Sequence, residues 1–145
     1  MRKIYLYLLA LSVLASVFAG CAAQNTPKEA VLRFIRAAGS GDVAALDNMF
    51  CFERLMIEKD GEAYLKMPQP KREEALAAFR KDLLKTVTVG MSRTFADFEP
   101  KIRNERISEG NAEVVVCGKK NETRLFSFYL SLENGAWKIY KITAS

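Results

Sequence analysis

The chain has three cysteines and no histidine, and these two facts already bound its chemistry. A thiol nucleophile needs a base to take its proton. With no histidine and no Cys-x-x-Cys motif, Cys51 and Cys117 lack the partner such chemistry uses. The groups that could exchange a proton are Asp97, Tyr64, Tyr129 and Tyr140, because a buried carboxylate beside a tyrosine can acquire a raised pKa suited to acid or base work. The plainer expectation is a surface acid at Asp97 and tyrosines at the edge of a core. The sequence holds no metal-ligand cluster, no Gly-rich phosphate loop and no Ser-His-Asp set. No catalytic residue, cofactor or metal is therefore expected.

The third cysteine, Cys21, stands at the end of "VFAGCAAQ". Before it come the basic pair Arg2-Lys3, an uncharged run from Ile4 to Ala19 broken only by Ser12 and Ser16, and the small pair Ala19-Gly20. This is the order of a secretory signal. The run falls short of the ~20 apolar residues a spanning helix needs, and it ends in small residues where a charged flank would stop transfer. The Ala19-Gly20-Cys21 end resembles the lipobox of bacterial lipoproteins, with Phe18 where leucine is usual. The resemblance implies that residues 1–20 are removed as a signal peptide, that Cys21 carries lipid, and that residues 21–25 are a tether. The other reading of Cys21 is an incidental or buried cysteine behind an ordinary secretory signal. Two or three acyl chains would hold the protein to a bilayer stably. The expected address is the bacterial cell envelope. Ala22, where Asp commonly marks inner-membrane retention, points to the outer membrane facing the periplasm if the host is diderm.

Residues 26–145 have the length of one domain with a core of its own. Arg2 and Lys3 contribute two of the 22 basic residues behind the net charge of +5, so without the signal the excess falls to +3. The remaining basic spots, Lys71-Arg72, Arg80-Lys81 and Lys119-Lys120, each have acids close by. No phosphate-tracking stripe results, and nucleic acid is not an expected partner. Outside the cytoplasm Cys51 and Cys117 either pair as a disulfide or stay as two separate buried thiols.

Thr26-Pro27-Lys28-Glu29 reads as a helix start, with Thr26 as N-cap, Pro27 at the first helical position and Glu29 placed for a capping box. Val31, Phe34, Ile35 and Ala38 then form one apolar stripe. The helix stops at Gly39-Ser40-Gly41. Asp42 caps a second helix carrying Val43, Leu46, Met49 and Phe50, and a turn or two more follows around Phe52, Leu55 and Met56. A third helix begins at Lys71, with Leu76, Phe79, Leu83 and Val87 on one face and Lys81 and Lys85 near its C-terminus. After about Gly90 the period changes to two. Strands are predicted over 101–108, 112–117 and 123–132, with a last one carrying Trp137 and Ile139 opposite Lys138, Tyr140 and Ile142. Asn134-Gly135 supplies the hairpin turn before the last. In the third strand Phe126, Phe128, Leu130 and Leu132 share a face. The pattern is α+β: N-terminal helices packed on a curved antiparallel β-sheet.

The Thr26-Pro27 helix start with Phe34, the Gly41-Asp42 step, "NAEVVV" (Asn111 to Val116) and "ENGAWKIYKI" (Glu133 to Ile142) together resemble the nuclear-transport-factor-2-like superfamily. Within it they are similar to small exported lipoproteins carrying a domain of uncharacterised function. The resemblance covers about residues 26–143 and implies a curved sheet wrapped around helices, a cone whose open end often holds a small apolar ligand. Phe34, Phe79, Phe126, Phe128 and Trp137 are the candidate lining of such a pocket, although an aromatic strand face is more often plain core. Some relatives are isomerases, dehydratases or cyclases with Asp, His or Tyr inside the cone, and that pattern does not carry over. Asn121-Glu122-Thr123 matches a glycosylation sequon by chance in such a setting. The expectation is a membrane-anchored binding module for a small hydrophobic ligand or an envelope protein, without catalysis. The alternatives are a cone-pocket isomerase-like or dehydratase-like enzyme, and a structural docking module.

Overall fold

A computed structural model describes residues 26–145; the expected signal peptide, the expected tether and Cys21 lie outside them. Helices α1 (Pro27–Ser40), α2 (Val43–Asp47), α3 (Phe52–Asp60), α4 (Glu62–Leu65) and α5 (Gln69–Phe95) come first. Strands β1 (Pro100–Ser108), β2 (Asn111–Gly118), β3 (Asn121–Glu133) and β4 (Ala136–Ala144) follow. The four strands form one antiparallel meander in the order β1-β2-β3-β4. The class is α+β.

The start of α1 is specified locally. Thr26 Oγ1 accepts the Glu29 backbone N–H at 3.3 Å, and Pro27 occupies the first turn, where no donor is needed. A second acceptor comes from the sheet, as the Lys28 N–H donates to Glu105 Oε1 at 3.2 Å. The helix ends at Gly41, whose φ of 70° is the left-handed conformation that closes a C-terminus. Ala30, Val31, Phe34, Ile35, Ala37 and Ala38 face Val114, Val116, Phe126, Phe128, Leu130 and Ile139 of the sheet in one apolar cluster.

Three expectations about the elements are corrected. The helix capped by Asp42, whose Oδ1 accepts the Ala45 N–H at 3.0 Å, ends at Asp47. Met49 and Phe50 lie past it, where the chain runs parallel beside β4: the Ile139 N–H donates to Met49 O at 2.8 Å and the Cys51 N–H donates to Ile139 O at 2.9 Å. Pairing with the sheet edge satisfies these backbone groups better than another helical turn would. The last helix does not stop near Gly90 but runs on to Phe95. Gly90 faces open space, so its cost of ~1 kcal/mol is outweighed by docking Met91 and Phe95 onto the core. Lys81 and Lys85 therefore sit well inside the helix.

The third correction concerns β4. Tyr129 pairs with Lys141 but Leu130 pairs with Ile139, which leaves Tyr140 as the extra residue of a bulge. Beyond it the alternation is inverted, and Ile142, opposite Phe128, packs against the core, away from the outer face where Tyr140 lies. A second bulge at Arg103 separates Ile102, opposite Val116, from Asn104, opposite Val115. The β1–β2 and β3–β4 hairpin turns use consecutive positive φ values, at Glu109-Gly110 and Asn134-Gly135, the conformation that matches strand twist. Leu132, aligned with the core-facing residues of β3, is 46 % exposed, because the helical layer ends short of it.

Candidate functional site

The five candidate pocket residues do not surround a shared space. Phe34 is fully buried and contacts three rings edge-on, with centroids at 5.5 Å for Phe50, 6.4 Å for Phe95 and 5.6 Å for Phe128. Phe126 is held by Phe95 at 5.3 Å and Phe98 at 5.6 Å. These separations are those of packed aromatic pairs, so the interior between helices and sheet is filled by the protein's own side chains. Phe79 is half-buried in a different place, a groove of about 450 Å³ between α3 and α5 that also includes Met56, Ala75 and Leu83. The Lys59 ammonium lies 5.4 Å from its ring centre. Trp137 borders a third place, a recess of about 280 Å³ with Ala30, Arg33, Met49 and Ile139.

The candidate proton carriers are equally dispersed. Asp97 is exposed just past α5. Tyr64 is buried in α4; burial pushes its phenol pKa up, the Glu53 carboxylate adds to the rise, and Arg72 opposes it. Tyr129 and Tyr140 are neighbours on the outer sheet face, ring centres 6.4 Å apart. The Arg54 guanidinium stacks 3.5 Å above Tyr140 and donates to Asn111 Oδ1 at 2.8 Å, while Lys141 lies 5.3 Å from the Tyr129 ring. No carboxylate of the described residues joins a tyrosine inside the helix–sheet layer. The buried polar residue among those described, Ser131, lies on the outer face of β3, opposite to core-facing Leu130, and its hydroxyl donates to Glu133 Oε1 at 3.0 Å.

Cys51 and Cys117 are both free and buried. Cys117 lies opposite Leu125, while Cys51 abuts Ile139, which pairs with Leu130. The offset from Leu125 to Leu130 along β3 is ~17 Å, and β2 lies about two strand spacings, ~10 Å, from β4. A disulfide needs Cα atoms within about 7 Å, so the two cysteines are separate thiols. Burial, reinforced by a hydrogen bond to Glu133, pushes the Cys51 pKa up to about 11, with Arg54 opposing. A thiol so disposed stays protonated and is a poor nucleophile.

A surface depression of about 570 Å³ escaped the sequence reading. It lies between α1 and the end of α5 and includes Leu32, Ile35, Arg36, Gly39, Phe95 and Phe98. The signal was present in the i, i+3, i+7 spacing of Leu32, Ile35 and Gly39, a second stripe beside the one that faces the core. Among the described residues no cluster of His, Cys, Asp and Glu could hold a metal ion, and no helix is long and apolar enough to cross a membrane.

No protein-family model, curated protein or solved structure matches the chain.

Proposed function

We propose that this chain is an exported bacterial lipoprotein, held by lipid on Cys21 in the cell envelope, whose single domain is a non-catalytic module for an envelope protein partner. The observation that carries the reading of the domain is the filled interior. Phe34, Phe50, Phe95, Phe126 and Phe128 occupy the space in which a cone-shaped relative would hold a ligand or its acid and base. Binding then falls to the surface. The address rests on the order Arg2-Lys3, apolar run, Ala19-Gly20-Cys21, and with Ala22 it is the outer membrane facing the periplasm in a diderm host. The nuclear-transport-factor-2-like lineage is part of the proposal, supported by helices that precede a four-stranded meander.

A second reading, a small hydrophobic ligand, draws on the open depression beside Leu32, Ile35 and Phe98. Its volume, about 570 Å³, lies within the range of small-molecule sites. The test is native mass spectrometry of full-length protein extracted from membranes in mild detergent, paired with crosslinking in intact cells. A reproducible crosslinked protein and no small molecule released on denaturation supports the docking module. A released apolar compound with no crosslinked partner overturns it in favour of the ligand reading.

A further inference from the structure

The antiparallel order puts the β2–β3 turn at one end of the sheet and the β1–β2 and β3–β4 turns, Glu109-Gly110 and Asn134-Gly135, at the other. The described chain begins at that same end. Lys28 donates to Glu105 on β1, and Ala30 and Arg33 in the first turns of α1 border the recess that includes Trp137 on β4. Beyond this helix start the sheet continues uncovered. Ile107 pairs with Ala112, which pairs with core-facing Leu130, and Leu132, two residues further on, pairs with Trp137. All three side chains therefore share the helix-facing side of the sheet: Ile107 and Leu132 are exposed past the helical cover, and Trp137 stands at its margin, beside Ala30 and Arg33 of α1 and Ala45 of α2.

Ile107 is 57 % exposed and Leu132 46 %, and Trp137 is half-buried. The other exposed large apolar residues, Val43, Leu65 and Val89, stand singly on α2, α4 and α5. We propose that this apolar ledge of Ile107, Leu132 and Trp137 rests in the interface of the bilayer that holds the protein. The proposal depends on the lipid-anchor reading of Cys21. Residues 22–25 separate Cys21 from Thr26, so even a fully extended tether keeps the start of α1 within ~18 Å of the membrane. The end of the domain nearest the bilayer is the one with the ledge. An amphipathic indole beside aliphatic side chains suits the headgroup boundary.

The charges around the ledge balance. Lys28, Arg33, Arg106 and Lys138 stand among Glu29, Glu105, Glu109 and Glu133, so contact is driven by apolar insertion and does not require anionic lipid.

Trp137 is the chain's only tryptophan, which makes the contact directly observable. Full-length acylated protein is placed in phosphatidylcholine vesicles, and its fluorescence is measured with and without lipid brominated on the acyl chain near the ester. The expected result is quenching of Trp137 that is unaffected by salt. It falls at least about twofold in Ile107→Asp/Leu132→Asp while the protein still floats with the vesicles. Both substituted side chains are exposed, so folding is retained, and Ile107→Ser/Leu132→Ser with an unchanged unfolding midpoint gives a milder control. Acylated protein whose Trp137 is not quenched overturns the ledge and leaves the anchor standing. A blue-shifted emission that brominated lipid does not quench assigns the ledge to a protein contact and likewise overturns it. A chain without acyl groups that fails to float overturns the anchor and the ledge together.

Discussion

A methyl group on Gly39 would stand 2.5 Å from the carbonyl oxygen of Phe95. Helix α1 and the last turn of α5 touch through backbone at this point, and no side chain fits between them. Gly39→Ala must therefore push the two helices apart, and we expect a loss of about 2 kcal/mol from overpacking. Urea unfolding of the two proteins measures it. The neighbouring depression, which Gly39 helps to form, would change shape as well.

Phe128 and Phe79 were alike as sequence candidates but differ in position. Phe128 is fully buried against Phe34, so Phe128→Ala should cost about 3–5 kcal/mol. Phe79 is half-exposed beside Lys59, and Phe79→Ala should cost about 1 kcal/mol, within the ordinary range for substitutions outside the core. Equal, small losses at both positions would mean that the interior is open, and the filled-interior account would be wrong.

Asp47 and Arg80 join α2 to α5 through a two-point contact in which Arg80 Nε donates to Asp47 Oδ1 at 2.6 Å and the second guanidinium nitrogen reaches Oδ2. The hydrogen bond from Arg80 holds the Asp47 carboxyl below its ordinary value, against an opposing effect of burial. A carboxylate with a depressed folded pKa stabilises above its unfolded value of 3.8 and loses that stabilisation as pH falls through the folded value. Asp47→Asn should therefore flatten the acid limb of the stability profile while costing about 1 kcal/mol at neutral pH, since Arg80 is 52 % exposed and Asp47 25 %. Thermal midpoints between neutral pH and acid read both effects.

Cys51 should act on the opposite limb. Its folded pKa is raised from 9.0 to about 11, so the folded state keeps a proton that the unfolded state releases. The stabilisation is complete below about pH 9 and is lost as pH rises toward 11. Unfolding free energies measured across that window should fall more steeply for the wild type than for Cys51→Ala. Parallel slopes would show that burial leaves the thiol's titration unchanged.

The parts of the fold that were legible in the sequence are those set by local chemistry. Thr26-Pro27 starts α1 because a hydroxyl acceptor and a residue without a donor suit a helix entrance. Asn134-Gly135 turns the chain because both residues accept positive φ. The misread parts depend on distant partners. Phe50 has helical spacing but is drawn along β4 by Ile139, and Gly90 interrupts α5 in pattern only, since Met91 and Phe95 beyond it have a core to join. Periodicity gave no warning of the bulge at Tyr140, so it assigned Ile142 to the wrong face. The candidate site was harder to read for the same reason: alternation put Phe126 and Phe128 on one face but could not show that Phe34 and Phe95 fill the space above them.

The central claim, that Cys21 is a lipid anchor and the first residue of the working protein, is tested most directly by the intact mass of the chain purified from its native membrane. The account predicts a polypeptide that begins at Cys21 and carries the added mass of acyl chains, with that mass lost in Cys21→Ser. A chain that keeps residues 1–20, or one that begins elsewhere and carries no lipid, would contradict it.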